Sequence, residues 1–470
     1  MQDMQKLNYL HEPALLHNLS HRFARDHVYT YTGKICISIN PFNWDVSTPL
    51  YTQERLLSYR GAEVEVNDPH VYAIAERAYT AILKRNAHAG GSNQSILVSG
   101  ESGAGKTEAV KIMMGFLAKV SGKGAANTVA ERVMESNPLL EAFGNARTLR
   151  NDNSSRFGKF IELQFDASSK MCGACIHIYL LEKTRVTGQQ LGERNYHAFY
   201  QLLAGSDEDA RARLQLKPPE AYAYVSKSGC LTIAGVDDAK DYARVCTAMR
   251  TIGLSAEEVV GSWALVSAVL ALSNLHFEPD PTKDGAARVC DDARQWLGAA
   301  AAAAGCESAD DLSAALCTRQ ICARDEWYTV RLTVEQAGDS RDALAKALYG
   351  RLFEWLVVRV NACLNTGETG ALKPAGAVVE GGGGRTSELF VGILDIFGFE
   401  CFVKNSFEQL CINYANERLQ QQFNWDIFKA EQVEYESEGI EWAYIEFTDN
   451  AKCLALIDAK PLGVLHVLNE

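Results

Sequence analysis

The sequence lacks the features that mark secreted, membrane-spanning and nucleic-acid-binding proteins. Its first six residues are polar, so no signal peptide is expected there. The longest apolar stretch, residues 264–275, is broken by Ser267 and Ser273 and is shorter than the ~20 residues that span a bilayer. A formal net charge of -13 and a pI near 5.4 disfavour general binding to nucleic acid or anionic membrane. We therefore expect no nucleic-acid partner and no membrane segment.

The sequence also lacks the cysteine and histidine spacings of disulfide frameworks and zinc sites. Its 13 cysteines are scattered, which favours reduced thiols in a cytosolic protein. Cys172 and Cys175 form one C-x-x-C without a second pair, and residues 173–174 predict a hairpin turn between Phe165 and Ile178. None of the ten histidines belongs to an H-E-x-x-H pattern, so no zinc chemistry is predicted.

The length and composition indicate a large folded protein. The chain has 470 residues, too many for one ordinary core of ~100–200 residues, so one multi-part domain or several packed subdomains are expected. Apolar residues make up 47% and charged residues 22%, which argues against disorder. Six alanines at 299–304 predict a helix, and four glycines at 381–384 predict a flexible loop.

The most informative stretch combines a strand, a glycine-rich loop and a helix. Residues 95–99 predict a short buried strand, and apolar residues recur at helical spacing from Val110 to Leu117. The G-x-x-x-x-G-K-T pattern between them lets several backbone N–H groups point at one phosphate, while Lys106 adds positive charge and Thr107 offers a Mg²⁺ ligand. The pattern predicts a nucleotide site, although kinases, GTPases, transporters and motors share it. The loop consists of Gly100, Glu101, Ser102, Gly103, Ala104, Gly105, Lys106 and Thr107.

Two further segments carry polar groups suited to a nucleotide site. Residues 151–159 concentrate amide, hydroxyl and guanidinium groups, although such a segment is also typical of a polar turn before a strand. Residues 389–395 form an apolar run that ends in Asp395, where a carboxylate acts near Mg²⁺ in phosphate-loop ATPases. Gly398 can present a bare backbone N–H to a γ-phosphate, and Glu400 is placed to pair with a cation.

Taken together, residues 100–107, 151–159 and 395–400 resemble the phosphate loop, switch I and switch II of myosins, in the same order and at similar separations. The resemblance covers nearly the whole chain. It implies an α/β fold, a phosphate-loop NTPase whose central mixed twisted sheet is flanked by many helices. Other stretches agree with it, namely residues 135–146, 179–183, 192–197 and 341–346.

The resemblance implies three parts. Residues 1–130 are expected to form an N-terminal nucleotide-binding part with the phosphate loop. Residues 131–388 are expected to form an upper subdomain with switch I and an actin-facing loop, around residues 315–333, in which Glu326 supplies an acidic group. An ordinary solvated glutamate is the alternative. Residues 389–470 are expected to hold switch II, a relay helix and the start of a lower subdomain.

The resemblance also implies roles for individual residues. In this family Lys106 contacts the β- and γ-phosphates, and Arg156 pairs with Glu400 when the switches close over the γ-phosphate. The implied catalytic residues are Lys106, Ser154, Arg156, Gly398 and Glu400. The implied Mg²⁺ residues are Thr107, Ser155 and, one shell further out, Asp395. The implied nucleotide contacts are the eight loop residues with Asn151, and Asn40 and Tyr51 on the adenine side, where a proline turn with a packed aromatic is the alternative.

The implied activity is that of an actin-based cytoskeletal motor. Mg-ATP binding and hydrolysis are coupled to actin binding and movement, with ATP and Mg²⁺ as cofactors, the actin filament as partner and a cytoplasmic, cytoskeleton-associated location. Apolar positions at helical spacing from Phe407 to Ile427 predict a long helix that resembles the relay helix, with an ordinary core helix as the alternative.

The resemblance also places the end of this chain before the family's converter and neck. Light chains or calmodulin are therefore expected only if a neck follows residue 470. A non-motor ATP-binding or actin-tethering fragment without the lever is the alternative function. A GTPase is disfavoured because no base-reading N-K-x-D motif is present.

Overall fold

The structure is a computed structural model, and it describes residues 1–63, 66–85, 93–121, 129–166, 168–282, 285–323, 326–365, 389–401, 405–441 and 449–469. The predicted glycine loop at 381–384 lies outside these residues. The chain divides into a larger unit, Met1–Val98 with Gly103–Ile396, and a smaller unit, Ser99–Ser102 with Phe397–Glu470. The three-part division expected from the sequence stays a prediction.

The strands among the described residues all belong to the larger unit. They are β1 (Tyr29–Thr32), β2 (Ile35–Ser38), β3 (Gln94–Val98), β4 (Asn145–Ala146), β5 (Ser154–Ser155), β6 (Gly158–Phe165), β7 (Met171–Tyr179), β8 (Phe277–Pro279), β9 (Ala287–Val289), β10 (Thr318–Ala323), β11 (Glu326–Arg331) and β12 (Leu389–Asp395).

The larger unit also contains fourteen of the described α-helices. They are α1 (Glu12–Phe23), α2 (Trp44–Ser47), α3 (Gln53–Tyr59), α4 (Val71–Arg85), α5 (Lys106–Ser121), α6 (Val129–Gly144), α7 (His197–Gly205), α8 (Glu208–Arg213), α9 (Ala223–Ser226), α10 (Asp238–Thr251), α11 (Ala256–Leu272), α12 (Arg294–Ala304), α13 (Ala309–Cys317) and α14 (Val334–Leu364). Short 3-10 helices cover Met4–Lys6, Thr48–Tyr51, Lys183–Val186, Pro219–Ala221 and Asp291–Ala293.

The central sheet has the order β3-β12-β6-β7. β12 runs parallel to β3 and antiparallel to β6, and β6 runs antiparallel to β7, so the predicted mixed sheet is confirmed. Because β3 and β12 are parallel, their carboxyl ends meet at one edge, with Asp395 beside Val98. On its other side Asp395 is in register with Lys159 of β6. The sheet therefore brings the strand before the phosphate loop next to the strand that ends in the predicted Mg²⁺ carboxylate.

Helices pack on this sheet around a large apolar core, and a small second cluster contains Ala287, Leu332 and Ala337. Helix α5 buries Val110, Met113, Met114 and Leu117, so the helix predicted after the phosphate loop is confirmed. The 31-residue α14 begins with a capping box of Thr333 and Gln336. The predicted alanine helix is confirmed as α12. Among the described residues, no helix is both long and apolar enough to cross a membrane.

The connection between β6 and β7 differs from the sequence prediction. Cys172 and Cys175 lie inside β7, so the hairpin turn predicted at residues 173–174 is wrong. The chain reverses between Phe165 and Met171, where the Asp166 carboxylate accepts hydrogen bonds from the backbone N–H groups of Ser168 (2.8 Å) and Lys170 (2.9 Å). The turn therefore forms where an aspartate side chain bonds the main chain, and Gly173 lies within a strand instead.

The regular elements described in the smaller unit are helices. Helix α15 (Phe407–Asn424) passes through a π-helical turn (Trp425–Lys429) into α16 (Ala430–Ser437), which confirms the predicted long helix. The fully buried positions of α15 are Gln409, Ile412 and Asn416. The apolar position Phe407, from which the helix is predicted, is exposed. Two shorter helices follow, α17 (Ala451–Asp458) and α18 (Val464–Val467).

Candidate nucleotide site

The phosphate loop joins the end of β3 to the start of α5, as the sequence predicts. Its residues 103–107 belong to the larger unit. Gly103 and Gly105 have φ angles of +83° and +91°, which side chains other than glycine rarely tolerate. The side-chain amide of Asn40 donates a hydrogen bond of 2.9 Å to the Gly103 carbonyl oxygen. Since Lys106 is the first residue of α5, the loop ends at a helix N-terminus, which favours anions.

Thr107 and Asp395 meet at the carboxyl edge of the central sheet. The Thr107 hydroxyl donates a hydrogen bond of 2.9 Å to Oδ2 of Asp395, and the Asp395 side chain is buried. A hydroxyl and a carboxylate are hard oxygen groups of the kind that Mg²⁺ prefers. The chemistry of this pair therefore fits the ion that the sequence predicts beside the phosphate loop.

Lys159 adds a buried cation to the same edge. It is in register with Asp395, and burial lowers the pKa of Lys159 while the Asp395 carboxylate partly offsets that effect. Sequence reasoning placed Lys159 in switch I without a role. Its position opposite Asp395 follows from the register of β6 and β12, which cannot be predicted from a local sequence pattern.

Switch I is held by a short strand pair. Strand β5 (Ser154–Ser155) pairs with β4, and Ser154 is buried. The Asn151 side chain accepts a hydrogen bond of 3.0 Å from the Asn153 backbone N–H. The hydroxyl of Ser155 donates to the Phe157 carbonyl oxygen at 3.4 Å. The proposed contacts of these residues with phosphate and Mg²⁺ stay predictions.

Arg156 belongs to a buried ion network that sequence reasoning missed. Its Nε donates to Oε2 of Glu182 at 2.6 Å, and the same carboxylate oxygen accepts from Nε of Arg185 at 2.7 Å. Arg185 also pairs with Glu193 at 2.9 Å. Burial alone would raise the pKa of Glu182, but Arg185 and Arg156 outweigh it and hold that pKa at about 2. The available signal was the resemblance of residues 179–183 and 192–197, which carried no assigned role.

Tyr51 is packed among aromatic rings. Its hydroxyl lies 2.8 Å from that of Tyr29, and its ring meets the His70 ring edge-on at 5.7 Å between centroids. Burial raises the pKa of Tyr51; the hydrogen bond with Tyr29 lowers it, and the Glu108 carboxylate in the first turn of α5 raises it again. The adenine-side roles of Tyr51 and Asn40 stay predictions.

In the smaller unit, the switch II main chain approaches the first residues of the phosphate loop. A Cβ on Gly398 would lie 2.3 Å from the Gly100 carbonyl oxygen, so glycine is required for this approach. Glu101 and Ser102 belong to the same unit. Gly398 thus lies beside Gly100 and Glu101, and its contact with a γ-phosphate stays a prediction.

A polar face of α15 holds the same switch II segment. The Asn413 side chain accepts from the Glu400 N–H at 2.9 Å and donates to the Glu400 carbonyl oxygen at 2.8 Å. The Asn416 amide donates to the Phe397 carbonyl oxygen at 2.9 Å. The Gln409 amide donates to the Glu400 carboxylate at 3.5 Å. These contacts explain why polar residues occupy the buried face of the helix, which sequence reasoning missed.

These elements have the arrangement of an α/β phosphate-loop NTPase fold. One strand leads into the glycine-rich loop, a helix begins at Lys106, and the neighbouring parallel strand ends at Asp395. The family model described as myosin head (motor domain) matches residues 1–470. The chain therefore belongs to the myosin head family.

Curated relatives match the chain over its whole length. It is 42% identical to Myosin-J heavy chain of Dictyostelium discoideum, of which it covers 21%. It is 44% identical to Myosin-8 of Arabidopsis thaliana, of which it covers 30%, and 43% identical to Myosin-I heavy chain of Dictyostelium discoideum, of which it covers 19%. The chain thus spans less than a third of the length of these relatives.

Proposed function

We propose that this chain is the nucleotide-binding part of an actin-based cytoskeletal motor that binds and hydrolyses Mg-ATP and couples hydrolysis to actin binding and movement. The observation that carries the proposal is the 2.9 Å hydrogen bond from Thr107 to Asp395 at the joined ends of β3 and β12. It joins Thr107, the last residue of the phosphate loop, to a buried carboxylate, and both groups suit Mg²⁺. Membership of the myosin head family supports the same function, with a cytoplasmic, cytoskeleton-associated location.

In this proposal the chain contributes positioning and charge. Lys106 and the loop N–H groups bind the outer phosphates, while Thr107 and Ser155 would ligate Mg²⁺ with Asp395 behind them. When bound, Mg²⁺ neutralises charge that develops on the phosphate oxygens. Asn151 and Ser154 orient the phosphates. Phosphoryl transfer depends mainly on such positioning and electrostatic stabilisation, so a covalent role for a side chain is not required.

Arg156 and Glu400 are proposed to pair when the switches close. Glu182 fixes the Arg156 guanidinium through Nε, so the pairing with Glu400 is assigned to the Nη donors. The planar guanidinium can serve two carboxylates in this way, which lysine cannot do. Closure excludes water and strengthens the electrostatic interactions around the γ-phosphate.

We propose that α15 transmits displacements of the switch II segment away from the nucleotide site. The side chains of Gln409, Asn413 and Asn416 hold residues 397–400 by directional hydrogen bonds, so a displacement of switch II pulls on the helix. The helical run continues to Ser437 and can carry a local shift over a long distance. Light chains or calmodulin enter the proposal only if a neck follows residue 470.

The β10–β11 hairpin is proposed as an actin-facing surface. Its two strands pair from Thr318 with Arg331 to Ala323 with Glu326. Trp327 is 70% exposed and Tyr328 is 51% exposed, which is unusual for large aromatic side chains outside an interaction surface. The Glu326 carboxylate, which accepts a hydrogen bond from the Tyr328 hydroxyl, adds the predicted acidic group.

Nucleotide binding is the first test of the proposal. We expect the chain to bind a fluorescent ATP analogue in the presence of Mg²⁺, and Lys106→Ala to weaken that binding strongly. Lys119→Ala is the matched control, because Lys119 is an exposed lysine at the far end of the same helix. Equal loss of binding in both variants, or no loss in either, would contradict the site.

Steady-state phosphate release with and without actin filaments separates the two candidate functions. Release accelerated by actin supports the motor. ATP binding that neither leads to hydrolysis nor responds to actin supports the non-motor ATP-binding alternative. Co-sedimentation with actin without hydrolysis supports the tethering form of that alternative.

A further inference from the structure

A histidine, a cysteine and an aspartate meet beside the short β8–β9 ribbon, within the larger unit and separate in sequence from the nucleotide-site residues. His276 directly precedes β8, and Cys290 directly follows β9. Since Phe277 is in register with Val289, and the Cys290 N–H donates to the His276 carbonyl oxygen at 3.1 Å, the two residues are opposite each other. Asp292 lies in the 3-10 turn that follows and brings its carboxylate to 2.8 Å from Nε2 of His276.

The ligand atoms of these three side chains have the separations of a metal site. All lie within 4.8 Å of one another. Bond lengths of ~2.0–2.3 Å around a tetrahedral zinc ion put neighbouring ligand atoms ~3.3–3.8 Å apart. Shifts of about 1 Å in side chains therefore complete the geometry. None of the three is fully buried, so these shifts are possible without rearranging the core.

The surroundings orient the histidine as a ligand. Its Nδ1 lies 3.2 Å from the backbone oxygen of Asn274. The Asn274 carbonyl and the Asp292 carboxylate both only accept, so Nε2 donates to Asp292 in the metal-free contact. A bound ion would replace the Nε2 proton between the ring and Asp292, while Nδ1–H keeps its contact with Asn274. Such a backbone partner is a common feature of metal-binding histidines.

The local charge favours a cation. Arg288 projects from β9 next to the cluster, but its guanidinium pairs with Glu278 and lies 3.7 Å from Asp291. Asp291 also pairs with Arg294 at 3.0 Å, so the two arginines offset Glu278 and Asp291, and Asp292 leaves one net negative charge at the cluster. A bound divalent cation would complete the local charge balance.

We propose that His276, Cys290 and Asp292 form a binding site for a borderline divalent cation of the Zn²⁺ class, with a fourth position for water. The ligand set decides the class, because thiolate and imidazole select Zn²⁺-like ions while Mg²⁺ and Ca²⁺ prefer oxygen. The site revises the sequence-based prediction of no zinc chemistry. The three residues match no short motif, because the whole β8–β9 ribbon separates His276 from Cys290. A bound ion would link the end of the β8–β9 ribbon to the 3-10 turn that follows it.

Cobalt spectroscopy tests the site directly. Co²⁺ occupies zinc sites, and a thiolate ligand gives it a charge-transfer absorption band in the near ultraviolet. The chain is titrated with Co²⁺ in the presence of excess Mg²⁺, then with Zn²⁺ as competitor. We expect a thiolate band that Zn²⁺ abolishes, that is lost in Cys290→Ser, and whose half-saturation rises about 10–100-fold in Asp292→Asn and His276→Gln.

Controls account for the other thiols. Cys230→Ser removes a cysteine of the same exposure class outside the cluster, and we expect it to keep the full band. Asp292→Asn changes an exposed side chain and keeps its shape, so it tests the site even if Cys290→Ser folds poorly. The absence of a thiolate band in the wild-type chain, or an equal band in wild type and folded Cys290→Ser, would overturn the proposal.

Discussion

Replacing Glu182 by glutamine tests how switch I is held. The change keeps the shape of the side chain but removes the negative charge that Arg156 and Arg185 share, in a site where the arginine side chains are 2% and 5% exposed. Arg185 would keep its ion pair with Glu193, while Arg156 would lose its 2.6 Å bond to the Glu182 carboxylate. We expect a large loss of stability, because breaking a buried ion pair leaves an uncompensated charge.

The magnitude follows from the ionisation of Glu182. Its folded-state pKa of about 2, against an ordinary value of 4.5, corresponds to a stabilisation of about 3 kcal/mol at neutral pH. This agrees with the ~3–5 kcal/mol lost when one partner of a buried pair is removed. Since folding lowers this pKa, the stabilisation is present above pH 4.5 and is lost as the pH falls toward 2.

Urea unfolding of the wild type and Glu182→Gln over a range of pH values measures both effects. We expect a difference of about 3 kcal/mol that is constant above pH 4.5 and shrinks below it. Glu354→Gln is the matched control, because Glu354 pairs with Arg351 and Lys183 on the surface and should contribute less than about 1 kcal/mol. A Glu182→Gln difference as small as that of the control would refute the reasoning.

Two further predictions concern switch II. Gly398→Ala puts a Cβ 2.3 Å from the Gly100 carbonyl oxygen, and the resulting main-chain shift should slow ATP hydrolysis about 100-fold. Gly298→Ala, with open space around its Cβ in α12, is the control, and unchanged hydrolysis in Gly398→Ala would contradict the close approach. Asn416→Ala removes the hydrogen bond from α15 to the switch II main chain, so the fluorescence response of Trp425 to ATP should fall while nucleotide affinity stays close to wild type. A full response in this variant would show that α15 does not depend on that contact.

The phosphate loop could be predicted from the sequence because its determinants are local. Eight consecutive residues supply the glycines, the lysine and the threonine, and the flanking strand and helix have their own apolar periodicity. The contact between Thr107 and Asp395 could be anticipated only from the resemblance, because 287 residues separate the two in the sequence. The position of Lys159 opposite Asp395 depends on strand register, which local sequence does not specify.

The errors and omissions have a common physical origin. The apolar positions of α15 predict the helix but not its buried face, which amide side chains occupy because they bond the main chain of residues 397–400. The bond between Glu182 and Arg156 was missed because 26 positions separate them in sequence, although Arg185 is only three residues from Glu182. The turn before β7 was misplaced because Asp166 closes it with side-chain hydrogen bonds. In each case the decisive interactions are hydrogen bonds or ion pairs of polar side chains, which apolar periodicity and glycine positions do not show.

The most direct test of the account is whether Asp395 governs the Mg²⁺ dependence of nucleotide binding. The affinity for a fluorescent ATP analogue is measured across a Mg²⁺ titration for the wild type and for Asp395→Asn. We expect the wild type to bind more tightly as Mg²⁺ is added, and the variant to need about 10–100-fold more Mg²⁺ for the same effect. The same Mg²⁺ dependence in both proteins would contradict the assignment of Thr107 and Asp395 to a shared Mg-ATP site.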